Sequence, residues 1–483
     1  MTNQNIFFIF APDIKLVFSL NYFIMRKMRF ILPLLTAVAV LSSCNEKGKG
    51  IVETSFEINM AQQDNCITVT IVPSENDAVY ITGLVMEDDW TAFGGSDGLL
   101  QYINDQIAQG AELSSGTQSR MFEDLFWQTK YYTYAAQVNE GAVIGTPVWE
   151  ESMTYRPYVT FAPENVIIGP SAVSDNGRYI VGCSDAESFI YDVRLDSLTV
   201  VPNLIFYDVT DSGVVYGTSG PYPLIWENGN PTDVTGIPDG SNDNCFFSVT
   251  PDGKTAVGYS GSGDMRPVIY ENGVLSILPY DLDPEGKDAT MAVASEIGSN
   301  GWITGYILDN TYMEVGCAWN QNHEYDLYTD ELMVWNDGFG YWENIYGGLE
   351  NCISPNGKYI ASWRTNTGDD GWGSFMFAYV FDTETRETYN VDQEAYCPDC
   401  VSSQGQLFLS DVTMGYSSVP YVYDVNDNTF STFADYAKSN YNYSPEGLTM
   451  QGSVVAVSED GKTVVGGYAA DKTFYTVIYF LPR

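Results

Sequence analysis

Positive charge is the scarcest commodity in this 483-residue chain. It has 21 Lys and Arg against 63 Asp and Glu, a formal net charge of −42. Such a surface repels phosphate along its whole length, so nucleic acid is excluded as a partner. Histidine is almost absent: mechanisms that need a histidine base or paired histidine ligands must use His323 or fail. Charged residues are only 17% and hydrophobic ones 45%, which describes a folded protein and not a disordered acidic tail. Of the eight cysteines, Cys44 sits in a leader-like segment, and the odd number left rules out a complete disulfide framework. Cys397-Pro-Asp-Cys400 has redox-motif spacing but lacks the strand-to-helix context, so a local disulfide or two thiols is expected there. No second cysteine pair or histidine cluster accompanies it, so no metal site and no cofactor are expected. A serine-hydrolase elbow is missing too: Gly258-Tyr259-Ser260-Gly261-Ser262 breaks that pattern at its final position.

What is present begins with an address. Met25-Arg26-Lys27-Met28-Arg29, the apolar run Phe30 to Leu41, and Ser42-Ser43-Cys44 form the basic, apolar and small-residue regions of an export signal. The run is shorter than the ~20 residues that span a bilayer. Leu41-Ser42-Ser43-Cys44 resembles the lipobox of bacterial lipoproteins, which implies lipidation of Cys44 and a place in the cell envelope, at the outer membrane. Residues 1–24 then read as an upstream extension outside the functional signal at 25–43. Losing residues 1–43 removes Lys15, Arg26, Lys27, Arg29 and Asp13, and leaves a net charge of −45. A chain so acidic gains nothing from anionic lipid, so acyl chains must hold it to the membrane.

Residues 44–51 form a short tether, and residues 52–155 read as a small β-sandwich. Phe56-Glu57-Ile58, Cys66 to Ile71 and Ala78 to Ile81 have strand character. Tyr131 follows Leu125 by six residues and opens another strand, a spacing that resembles the tyrosine corner of fibronectin type III-like domains. A helical insert is expected between the strands, capped by Ser96, with Leu99, Leu100, Ile103 and Ile107 on its buried face.

From residue 156 to 483 the sequence repeats. A turn of the type Ser174-Asp175-Asn176-Gly177, followed by an apolar strand, recurs with its glycine at 177, 213, 253, 301, 357, 405 and 461. Such turns between apolar runs need positive φ and mark hairpins. Each copy is followed by an aromatic hairpin, as in Leu224-Ile225-Trp226-Glu227-Asn228-Gly229, Val268-Ile269-Tyr270-Glu271-Asn272-Gly273, Met333-Val334-Trp335-Asn336-Asp337-Gly338 and Tyr421-Val422-Tyr423-Asp424. No helical pattern interrupts the copies. Four strands per unit at this period resembles a β-propeller, seven blades by count with six or eight the neighbouring alternatives. The Gly-His and Trp-Asp signatures of the WD-repeat family are absent. The last copy lacks a fourth strand, and Tyr158-Val159-Thr160-Phe161 can supply it. The fold class expected is therefore all-β, sandwich then propeller. Lipobox, sandwich and acidic propeller together resemble exported lipoproteins of the Bacteroidetes type.

The two sets of turns fall on one face of such a ring, and the loops joining the second and third strands of each blade on the other. Variable loops on a rigid ring are where binding residues concentrate. The candidates there are Tyr222, Arg266, Tyr306, Trp363, Arg364 and Trp372, with Tyr416 beside them, and the longest loops run from Tyr306 to Cys317 and from Trp363 to Phe375. The alternative role for the aromatics is packing between blades. His323 belongs to the blade-four insertion and reads as a solvated residue. Asp281 to Gly286 and Asp424 to Asn428 lack the distal Glu of a calcium loop and read as Asx turns. The functional expectation is a lipid-anchored binding or scaffold protein whose ligand is a polysaccharide or an envelope protein. The alternative is a glycoside hydrolase or lyase, and it requires two carboxylates ~5 to ~9.5 Å apart in an aromatic-walled pocket, with catalytic residues that sequence alone does not identify.

Overall fold

The computed structural model describes residues 53–482, apart from 163–167, 185, 238–239, 263–264, 281–290, 309–313, 327–332, 337–340, 345–350, 368–373, 395, 412–418, 445–451 and 471–472. Residues 1–53 and 54–483 form separate units. The expected signal and Cys44 lie outside the described residues.

Seven apolar seams organise residues 168–481. Each is a cluster of buried side chains from two neighbouring four-stranded sheets, as where Val181 and Ile190 meet Phe206, Val215 and Leu224, or where Val173 and Phe189 meet Val465 and Ile478. Every sheet is buried on both faces, which is why its inner strands read as continuous apolar runs. The sheets are seven antiparallel blades at 169–202, 205–233, 244–277, 291–326, 352–394, 396–432 and 453–480. The seventh has three strands of its own, and Tyr158–Phe161 supplies the fourth, pairing Val159 with Ile478 and Thr160 with Val477. The ring thus closes through a strand from its own N-terminal end, as the sequence led us to expect. All seven repeat glycines have positive φ, between 68° and 88°.

Two expectations for this region fail. Met333–Asn336 is not part of blade four; it pairs with Tyr341–Asn344 as a separate hairpin, while the blade uses Glu314–Trp319 and Tyr325–Asp326. An aromatic strand before Asp-Gly specifies a hairpin, not its place in the ring. A helix does interrupt the repeats: Phe433–Tyr441, capped by the Thr432 hydroxyl accepting from Asp435 N–H, buries Phe433, Tyr436 and Ala437 in the seam between blades six and seven.

The N-terminal part is a two-sheet sandwich with β1 (Phe56–Gln63), β2 (Cys66–Pro73), β3 (Val79–Met86), β4 (Ser114–Ser115), β5 (Gln118–Phe122), β6 (Thr129–Asn139) and β7 (Ala142–Thr154). The sheet orders are β1-β2-β5 and β4-β3-β6-β7. The Tyr131 hydroxyl accepts from Phe126 N–H at 2.9 Å. Between β3 and β4 lie α1 (Glu87–Ala92) and α2 (Gly95–Ala108), a third layer over the outer face of β6. Gly94, not Ser96, caps α2, and Leu100 is exposed while Leu99 and Ile103 are buried. Leu100 follows Leu99 by one residue, about 100° around the axis, and so points away from the sheet.

The sandwich docks on the turn face of the ring at blades seven and one. The Arg156 guanidinium pairs with Asp196 at 3.1 Å, donates to the Tyr191 hydroxyl at 2.7 Å, and lies over the Trp127 ring. Tyr155 donates to Phe480 O at 2.6 Å, and Trp127 N–H to Arg194 O at 3.2 Å.

Candidate functional site

The innermost strand of each blade carries the site, and its geometry follows from a repeated irregularity. In six blades this strand is bulged opposite the second strand, one residue before its last two: at Ser171, Tyr207, Phe247, Ser295, Asp399 and Val455. A bulge re-aims the residues around it, and here it turns them toward the axis. The close approach that results explains the second glycine of the repeat. A Cβ at Gly217 would fall on the Ile205 carbonyl oxygen, and one at Gly258 on that of Cys245.

The axis is a channel lined by all seven blades, with a cavity of about 120 Å³. At roughly 30 Å³ per water that is room for on the order of four waters. Residues just after the bulge differ from blade to blade: Ala172, Asp208, Ser248, Glu296, Cys400 and Ala456, with Cys352 in the same place before Ile353. Three of them staple their blade to the next. Asp208 accepts from Val249 N–H at 2.8 Å and the Ser248 hydroxyl at 2.9 Å; Ser248 in turn accepts from Ile297 N–H, and Glu296 from Ile353 N–H at 2.7 Å.

These carboxylates sit where charge is disfavoured. Burial raises Glu296 to about 7, against the Ile353 N–H and with help from the Asp208 charge. Burial likewise raises Asp208 to about 6, although three hydrogen bonds oppose it. Asp175, in the first turn at the same end of the channel, is raised to about 7 by burial and by Asp208, Asp211 and Glu459. Its Oδ2 is buried with no hydrogen-bond partner. Next to this acidic ring stands an aromatic wall. Tyr207 and Phe247 meet edge to face at 5.0 Å between centroids, Phe247 lies 5.5 Å from Tyr259, and the Tyr259 hydroxyl donates to Asp243. All three rings are half-buried, and Tyr207 and Phe247 line the channel cavity.

The residues singled out from sequence are scattered. Tyr222 is in the blade-two loop and exposed. Arg266 opens the third strand of blade three. Tyr306 lies within Ile303–Leu308, and Trp363 and Arg364 within Tyr359–Thr367, so these three are strand residues and not loop residues. The strands continue because Tyr306 pairs with Gly316 and Trp363 with Ala378, so most of the expected long loops is strand, Ile303–Leu308 with Glu314–Trp319 and Tyr359–Thr367 with Ser374–Asp382. Trp363 has its Nε1 buried, as suits a packing role. Trp372 and Tyr416 lie outside the described residues. His323 is in the turn between the third and fourth strands of blade four, at φ 61°, with Nε2 3.7 Å from Glu271; it is not in an insertion. Asp424 accepts from Asn426 N–H in an ordinary Asx turn, whereas Asp281 to Gly286 falls outside the described residues. No disulfide joins Cys397 to Cys400, and burial raises the Cys400 thiol far above its usual range. Among the described residues no group of three His, Cys, Asp or Glu is placed to hold a metal ion.

Sequence reasoning missed Tyr207, Phe247, Asp208 and Glu296. The signal was available: aligning the copies on the turn puts Asp208 and Glu296 two residues before the turn's first residue, and Tyr207 and Phe247 three before it.

No family model matches the chain, and no curated protein matches it in sequence. Among solved structures, it is similar to an oligogalacturonate lyase in complex with manganese, at 9% identity and a TM-score of 0.43, over 68% of this chain and 96% of that one. It is also similar to the Cps50 (Swd1) β-propeller domain of Myceliophteria thermophila, at 8% identity and a TM-score of 0.39, over 67% and 98%.

Proposed function

We propose that this protein is a lipid-anchored, exported binding protein of the bacterial outer membrane. Cys44 carries the anchor, the sandwich is of fibronectin type III type, and the propeller meets the ligand on the face opposite its turns. The sheet orders and the Tyr131 corner bond support the sandwich assignment. One observation carries the binding reading: a half-open aromatic wall, Tyr207–Phe247–Tyr259, beside carboxylates at the axis of a rigid ring. Amphipathic rings of this kind offer apolar faces with polar tips, which suits sugar faces or a protein anchor. The sandwich covers the turn face at blades seven and one, and the ligand would reach the aromatic wall from the other face. A polysaccharide is the first ligand to test and an envelope protein the second.

A second reading, a carbohydrate-active enzyme, draws on Asp175 and Glu296, both raised to about 7. Asp208 fits a chemical role poorly, since both its oxygens already hold neighbouring N–H and O–H groups. Incubating a bound glycan with the protein separates the readings: shortened chains favour the enzyme, and intact ones the binder. For the anchor, Cys44→Ala should move the protein out of the membrane fraction; retention there contradicts lipidation.

A further inference from the structure

Positive charge, so scarce in this chain, gathers at one place that the binding reading does not use. Where the sandwich meets the turn face, Arg178, Arg194 and Lys462 line a single cavity of about 40 Å³, together with Glu87, Gln128 and Met153. Three of the 21 basic residues of a chain with net charge −42 thus line a space that fits one small group, with Asp192, Asp88 and Glu87 the carboxylates beside them.

Their donors are only partly committed. Arg178 grips Asp192 through Nε at 3.3 Å and Nη2 at 2.9 Å, which leaves Nη1 without a hydrogen bond among the described residues. Arg194 gives Nη1 to Asp88 at 2.9 Å and keeps Nε and Nη2. Lys462 has no carboxylate within ion-pair reach among the described residues; its Nζ lies 3.8 Å above the Tyr441 ring. A guanidinium has five donors in a fixed fork, matched to a planar or tetrahedral oxyanion. Both arginine side chains are less than a third exposed, so an incoming anion would meet donors already partly stripped of water, where charge-assisted bonds are strongest. The one acid in the lining, Glu87, makes no ion pair there.

We propose that this seam is an oxyanion-binding site, which takes the carboxylate or phosphate group of a ligand between the sandwich and blades seven and one. It stands independently of whatever the channel binds, because it shares no lining residue with the channel and uses none of the aromatic wall. Its occupant would bridge Arg194 and Arg178 of blade one to Lys462 of blade seven, across the point where the ring closes.

The test is calorimetric titration of the full chain with inorganic phosphate, with glucuronate and with glucose. At least one of the two anions should bind while glucose does not; phosphate alone points to a phosphorylated ligand, glucuronate alone to a carboxylate-bearing one. Affinity should fall with added salt. Lys462→Gln should weaken binding about 10-fold or more, the loss of one charge-assisted contact. Glu87→Gln, which removes the competing carboxylate without touching a donor, should tighten it by roughly 2- to 5-fold. The proposal is overturned if neither anion binds, if glucose binds as well as glucuronate, or if Glu87→Gln leaves the affinity unchanged. That last arm also decides the matter should Lys462→Gln fail to fold.

Discussion

The rim of turns and the wall of the channel are built from the same seven repeats, yet they obey opposite rules. On the rim four of the seven copies share one arrangement. In Ser174, Thr250, Ser354 and Ser458 the buried hydroxyl accepts from the N–H five residues on, at 2.9–3.2 Å, and donates to the residue two on. Turns then reach each other across the seams: Asn176 N–H to Asp211, Ser299 N–H to Pro355 O, Glu459 N–H to Asp175 O. On the wall the copies disagree, since equivalent positions hold Ala, Asp, Ser, Glu or Cys. Sameness marks what every blade needs in order to stand beside its neighbour. Difference marks positions where each blade meets its neighbour in its own way, through Asp208, Ser248 and Glu296 in three of them, and the aromatics and acids of the candidate site are found there.

The comparison is broken most severely at closure. Ending the chain at residue 470 removes Thr473–Phe480, and with it the partner of Tyr158–Phe161. Calorimetry should then show no cooperative transition for the ring; a sharply melting product would contradict a closed propeller. A smaller effect separates two glycines. Gly258→Val drives a side chain into the Cys245 carbonyl beneath the Phe247 bulge and should destabilise by ~3 kcal/mol or more. Gly229→Ala, in an open hairpin turn at φ 87°, should cost only ~1 kcal/mol. Equal losses in denaturant titrations would mean that the bulge is not held by close packing.

Gentler still is the response to pH. Asp175, Asp208 and Glu296 have native pKa values raised to about 7, 6 and 7. Raised values mean that the native state holds protons more tightly than the unfolded chain. The stability these groups contribute is complete below ~4 and is lost as pH climbs through ~6 to 7. Melting should therefore come ~2 to 6 °C higher at pH 5 than at pH 8. Glu296→Gln keeps an acceptor for Ile353 N–H but removes the charge, so it should reduce that dependence and leave the share of Asp175 and Asp208. A wild-type profile that rises toward pH 8 would contradict the burial of these acids.

Much of the ring was legible from sequence because its signals are local. Asp-Gly and Asn-Gly turns, paired with apolar runs, specify hairpins wherever they occur, and seven glycines at φ 68–88° bear this out. The closing strand was legible as well, since an unpaired edge demands a partner. The failures came where local signals have no address. Met333-Val334-Trp335 was read correctly as a hairpin strand but assigned to the wrong sheet. Phe433–Tyr441 hid because nine residues, two of them Tyr and one Phe, carry little helix propensity and depend on packing in a seam. The candidate site was read too far out. Tyr306 and Trp363 have the sequence surroundings of loop aromatics, whereas their strands run on past them. Tyr207 and Phe247 looked like ordinary strand residues, because only the bulge turns them to the axis.

That wall is where the account stands most exposed. A glycan array should be screened with the full chain and with a Tyr207→Ala/Phe247→Ala variant, each checked for its melting temperature. The expected result is selective binding of one polysaccharide class by the wild type, and loss of it in the variant with melting shifted by no more than ~5 °C, as suits half-buried rings. Undiminished glycan binding by a folded variant would contradict recognition at the channel wall and would move the ligand to the outer loops.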